Sequence, residues 1–222
     1  MTTVYLIRHL ETQANIARTL QGQHDTAPTE FGLRQLEWLR ERFANVDLDV
    51  IYTSPLGRAK MTAEAVKGKH DIPLIEDKRI MEINLGDMEN TSVADMEFLY
   101  PDQYISFSTN LHTLSAPNGE NVEQVYNRMS GAISDIVNSN PGKTVAVVSH
   151  GLALQSLVSK LHGKDYTYVN EVELGQNTSV SKVTFDEDDS PTICYLGDIS
   201  HMPKEHRKSR YSYIEKKEEE TK

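Results

Sequence analysis

Two histidines follow directly on short apolar runs. Val4-Tyr5-Leu6-Ile7 leads into Arg8-His9, and Val145-Ala146-Val147-Val148 leads through Ser149 into His150-Gly151. Runs of this length, rich in β-branched residues, have the pattern of buried strands. In a parallel α/β sheet, ligands bind outside the carboxyl ends of the strands, where both imidazoles would stand. A lone histidine so placed is more often structural. Two strands that each deliver one can bring both to a single crevice when they are neighbours in the sheet. A guanidinium beside the first imidazole suits that crevice to an anion, and a neutral imidazole can attack an electrophile.

Two further side chains belong with this pair. The run 48–53 reads as another strand, ending at Ser54-Pro55. The helix that follows, through Arg58, Ala59, Thr62 and Ala65 to Gly68, carries Arg58 in its first turns, off the carboxyl end of a strand. Glu82 stands between Met81 and Ile83 after a short strand at 72–75. Strand alternation turns it away from those apolar neighbours, either out to solvent or into a partly dry site where a carboxyl group can donate a proton.

These residues occur in a recognisable order. Arg8-His9 with Glu11-Thr12 and Asn15, then Ser54-Pro55-Leu56-Gly57-Arg58-Ala59, Glu82 and Ser149-His150-Gly151 together resemble the histidine phosphatase superfamily, which includes the cofactor-dependent phosphoglycerate mutases. The likeness spans residues 3 to 200. It implies that His9 is a nucleophile forming a phosphohistidine, with its other ring nitrogen donating to a fixed acceptor such as a backbone carbonyl. Arg8 and Arg58 would clamp phosphate oxygens, helped by Asn15 and the Gly151 backbone. His150, protonated by anionic surroundings, would add a cation, and Glu82 would protonate the departing alkoxide and then activate water. No metal and no cofactor enter such a scheme. One position departs from the family: Leu10 stands where glycine or another small residue is usual.

Around this set the chain reads as a single domain over residues 1–203, a three-layer α/β/α sandwich with a mostly parallel sheet and an antiparallel edge strand. Thr29 is placed to cap a helix over 30–44 whose apolar face is Phe31, Leu33, Leu36, Leu39 and Phe43, with Trp38 at its edge. Helices are expected at 121–138 and 151–162, and a hairpin of strands at 179–185 and 192–196. Residues 83–117 read as a lid or wall with one helix near 92–100. His24 falls in a polar loop as a rim residue, and Cys194, within a strand, as a small buried hydrophobe. The segment 204–222, rich in charge, reads as a solvated tail.

The net charge of −10, from 33 acidic and 23 basic residues, argues against a nucleic-acid partner. The N-terminal apolar run is only a strand's length, so neither a signal peptide nor a membrane partner is expected, and a cytoplasmic location is the default. No pattern in the sequence sets an oligomeric state. The ligand implied is a small phosphorylated metabolite. Within the superfamily, mutases hold a second anionic group with cations drawn largely from the insert after the acid. Here 83–117 contains neither lysine nor arginine, and 83–149 carries eight acidic residues against Arg128 and Lys143. A metal-independent phosphomonoesterase is therefore the leading reading, with mutase chemistry second. A phosphate-binding scaffold inactivated by Leu10 is a third.

Overall fold

A computed structural model describes residues 1–207; residues 208–222, most of the charged C-terminal segment, lie outside the described residues. In chain order the main elements are β1 (Thr2–Arg8), α1 (Gln13–Ala17), α2 (Glu30–Phe43), β2 (Val50–Thr53), α3 (Gly57–Lys67) and β3 (Leu74–Glu76). They continue as α4 (Val93–Leu99), α5 (Pro101–Thr109), α6 (Val122–Asn138), β4 (Thr144–Ser149), α7 (Gly151–Leu161), β5 (Val180–Phe185) and β6 (Pro191–Asp198). One six-stranded sheet runs β3-β2-β4-β1-β5-β6. Its first four strands are parallel, and β5 and β6 add an antiparallel pair at one edge.

Alternation along the strands builds the layers. Val4, Leu6, Val145 and Val147 share one core with the inward faces of α6 and α7. Ile7, Ile51, Ala146 and Val148 face the other way, onto Leu39 and Phe43 of α2 and Ala59, Ala63 and Val66 of α3. Strands covered on both faces must be apolar throughout, which is why β1 and β4 read as continuous runs. Their register pairs Arg8 with Ser149, so His9 and His150 leave adjacent strands at the same level.

The structure differs from the expectations at several places. Leu33 is 46% exposed, on the solvent side of α2 rather than in its buried stripe. The wall at 83–117 holds two helices, because Pro101 opens α5 and Tyr100 before it leaves helical geometry at φ −139°, ψ 62°. Met88, Val93, Met96 and Leu114 tie this segment into the core with α6. Glu82 is not on a strand: β3 ends at Glu76, a 3-10 turn covers Lys78–Ile80, and Glu82 follows in the connection. Cys194 is exposed, since partner register jumps from Lys182↔Tyr195 to Val183↔Ile193 and leaves it as the extra residue of a bulge on the edge strand. Past residue 203 the chain still packs, with His206 stacked on Trp38 at 5.4 Å between ring centroids.

Candidate active site

The carboxyl ends of β1 and β4 place the two imidazoles together. The rings of His9 and His150 lie 5.1 Å apart between centroids and 51° from parallel, and both are buried. His9 N–H donates to the Ser149 carbonyl (3.0 Å), so the pairing of β1 with β4 reaches the histidine itself. His9 Nδ1 lies 2.6 Å from the Leu10 carbonyl oxygen, an acceptor only, so Nδ1 carries the proton and Nε2 keeps its lone pair. The backbone acceptor implied by the resemblance is thus the carbonyl next along the chain. His150 Nε2 meets the Ser54 hydroxyl at 2.8 Å, which orients the second ring from the end of β2.

Arg58 enters from the first turn of α3, and its side chain is buried. Its Nη1 donates to the His24 carbonyl (2.8 Å) and to Asp25 Oδ1 (2.9 Å), and its Nη2 to the Gly22 carbonyl (2.7 Å). Loop 22–25 therefore folds over this guanidinium, while the His24 side chain is exposed at the rim. Asp25 also accepts from Gly57 N–H at 2.6 Å, joining the loop to the start of α3. Arg8 donates through Nη1 to the Gly175 carbonyl (3.2 Å).

Glu82 is drawn to the amino end of α7. Its Oε1 accepts from Ala153 N–H (3.1 Å) and Ile83 N–H (3.0 Å), and its Oε2 from Leu152 N–H (3.3 Å). A carboxylate is well placed against helix N–H groups that have no partner within the helix. Gly151 sits between the charges: a β-carbon there would lie 3.6 Å from Glu82 Oε2 and 3.7 Å from Arg8 Nη2. Arg8, Glu82 and the opening of α7 thus converge beside His150. Asn15 is close by, with its Oδ1 accepting from Thr12 N–H (3.0 Å) and hydroxyl (3.1 Å) in the first turn of α1.

Both histidines are held neutral, which corrects one expectation. His150 is pushed well below the ordinary imidazole value, first by burial and then by Arg58, His9, Arg128 and Arg8. Its surroundings are cationic rather than anionic, which favours the uncharged imidazole. His9 is lowered by burial, Arg58 and Arg8, against a smaller opposing effect of the Leu10 hydrogen bond. Neutrality is the state in which an imidazole can attack phosphorus.

Sequence reasoning missed two side chains. Arg128, on α6, donates to the carbonyls of Arg79 (2.8 Å), Met81 (2.6 Å) and Glu82 (2.9 Å) and pairs with Glu120. A cation three residues after inward Val125 was the available signal. Asn177, in the turn before β5, contacts the backbone of His9 and Leu10. It lies in a polar run with no local sign of burial.

The sequence profile of the histidine phosphatase superfamily (branch 1) matches residues 4–198. The chain belongs to this superfamily. A probable phosphoglycerate mutase of Yersinia pestis (strain Pestoides F) is 32% identical over 211 residues, covering 91% of this chain and 95% of that protein. Among solved structures, YhfR of Bacillus stearothermophilus superposes with a TM-score of 0.86 at 34% identity, covering 90% of this chain and 99% of its own. A mutant phosphoserine phosphatase of Entamoeba histolytica in complex with phosphoserine gives 0.79 at 25% identity, over 91% and 100%. The chain is an enzyme of the histidine phosphatase type.

Proposed function

We propose that this histidine phosphatase is a metal-independent phosphomonoesterase acting on small phosphate monoesters through a phosphohistidine at His9. The observation that carries the reading is the Nδ1–H of His9 held on the Leu10 carbonyl beside a second neutral imidazole and two buried arginines. His9 Nε2 attacks phosphorus, forming a P–N bond as the P–O bond to the leaving group breaks. A proton that Glu82 takes up as the monoester binds passes to that oxygen. Water then attacks the phosphoenzyme, gives a proton back to Glu82, and releases phosphate as the P–N bond breaks. Arg8 and Arg58 neutralise charge on the non-bridging oxygens in both steps.

Hydrolysis is favoured over mutase chemistry by the cations. Arg128 is engaged with three carbonyls and Glu120, and Lys143 precedes β4, at the opposite end of that strand from His150. Neither supplies a second anion subsite over the histidines. Against the scaffold reading, Leu10 has no left-handed backbone and its side chain is fully buried.

The test has two arms. With p-nitrophenyl phosphate in EDTA, acid-quenched enzyme is expected to carry acid-labile, base-stable phosphate that His9→Ala lacks; full activity in His9→Ala ends the mechanism. Given 3-phosphoglycerate and a trace of 2,3-bisphosphoglycerate, the enzyme is expected to release phosphate. Efficient formation of 2-phosphoglycerate instead would establish the mutase.

A further inference from the structure

We infer that Asn177 is a positioning residue that fixes the tautomer of His9 by anchoring the Leu10 carbonyl; this rests on the nucleophilic role of His9 proposed above. A carbonyl oxygen has two lone pairs. At Leu10 one accepts from His9 Nδ1 (2.6 Å) and the other from Asn177 Nδ2 (3.1 Å). The same amide donates to the His9 carbonyl at 2.9 Å and lies 3.3 Å from Asn15 Oδ1. Its nitrogen stands 3.5 Å from His9 Nδ1, so the amide spans the acceptor and the ring it orients.

Asn177 is itself held in place, 1% exposed. Its carbonyl accepts from Gln35 Nε2 (3.3 Å), and Gln35 Oε1 accepts from Glu11 N–H (2.9 Å), which closes a loop around residues 9–11. The next residue, Thr178, takes a left-handed backbone (φ 62°), and its N–H reaches the carbonyls of Arg8 (3.1 Å) and His9 (3.2 Å). A non-glycine residue in that conformation is costly and persists where the surroundings demand it. The turn 176–178 thus clamps the strand end that carries the nucleophile. Groups that orient a reacting imidazole through its second nitrogen act on rate more than on binding.

The test uses Asn177→Ala and the isosteric Asn177→Asp in the full-length enzyme. Two-bond 1H–15N spectra report the His9 tautomer, and the burst of p-nitrophenol reports its phosphorylation. Asn177→Ala is expected to raise the Nε2–H population and slow phosphorylation by roughly ten- to a hundredfold, with KM changed by less than about threefold. Asn177→Asp places a carboxylate oxygen near Nδ1 and stabilises the imidazolium against Arg8, Arg58 and His150; the acids already around the site are buried Glu11, two residues along the chain, Asp25 on Arg58, and Glu82 beside Arg8 at Gly151. Its acid limb in kcat/KM is expected to move to higher pH.

An unchanged tautomer in Asn177→Ala, whether or not the rate falls, overturns the inference, as does a changed tautomer at wild-type rate. If the alanine variant does not fold, an acid limb in Asn177→Asp that stays at the wild-type pH overturns the inference. Should His9→Ala retain full activity, the proposed function fails first, whatever Asn177 does.

Discussion

Leu10 has no exposed surface and packs against Leu36 and Ala65, with its N–H on the Thr62 hydroxyl at 3.0 Å. Opposite it, α2 carries Gly32, where a β-carbon would lie 2.8 Å from Leu10 Cδ1 and would also meet the Glu11 carbonyl. A large residue and a missing side chain thus complement each other across the contact. Leu10→Gly is therefore expected to cost stability: truncating a buried leucine to alanine costs about 2–5 kcal/mol. With the backbone unstrained, kcat is expected to change by no more than about tenfold, measured beside denaturant unfolding. Glu82 gives a second prediction. An acid matters most when the leaving alkoxide is basic, so Glu82→Gln is expected to lose about two to four orders of magnitude on an alkyl phosphate and far less on p-nitrophenyl phosphate. Equal losses on both would mean that the carboxylate does not donate the proton. The histidines were legible because each interrupts an apolar run. Glu82's partners, the N–H groups of Leu152 and Ala153, lie about 70 residues further along and leave no local mark.

Arg128 shows how one helix positions a residue on a connection that has no regular structure of its own. From α6 it reaches three carbonyls between Arg79 and Glu82, while Glu120 completes the contact by accepting Asn84 N–H at 2.8 Å. Arg128→Met removes those donors and leaves Glu120 without its cation. Stability is expected to drop by about 1–3 kcal/mol. Activity on alkyl phosphates is expected to fall in parallel with Glu82→Gln, and the double variant should lose much less than the sum of the two. Additive losses would place Arg128 outside the route by which Glu82 is held. The long helices and central strands could be read directly, since Thr29 caps α2 with a 2.8 Å bond from Gly32 N–H and the apolar face of α6 repeats at helical spacing. Short elements escaped: α5 has no buried residue to set a period, and a bulge in β6 reverses the alternation that would have buried Cys194.

The sheet order explains both the site and the pH response of the fold. Placing β1 beside β4 brings His9 and His150 into one buried, cationic crevice, and a third histidine, His201, is half-buried with its Nε2 3.4 Å from the Thr178 hydroxyl. His201 is lowered to about 4 by burial and by Arg42, whose Nη1 is 3.1 Å from its Nδ1; Asp198 opposes this and Arg207 adds to it. His9 and His150 are lowered well below 6.5. For each, the unfolded chain takes up a proton near pH 6.5 that the native state refuses. Stability is therefore complete above pH 6.5 and declines as pH falls toward the native values, by up to about 1.4 kcal/mol per unit for each histidine. The aspartates act in a lower window. Asp77 and Asp198 are lowered because the hydrogen bonds of Arg79, and of Ser200 and Arg42, outweigh the opposite effect of burial, so their contribution persists until about pH 4. The melting temperature is accordingly expected to rise between pH 4.5 and 6.5 and then level off, and His201→Gln should flatten that rise. An unchanged slope in His201→Gln would show that this imidazole is protonated in the native protein, and that the Arg42 contact does not keep it neutral.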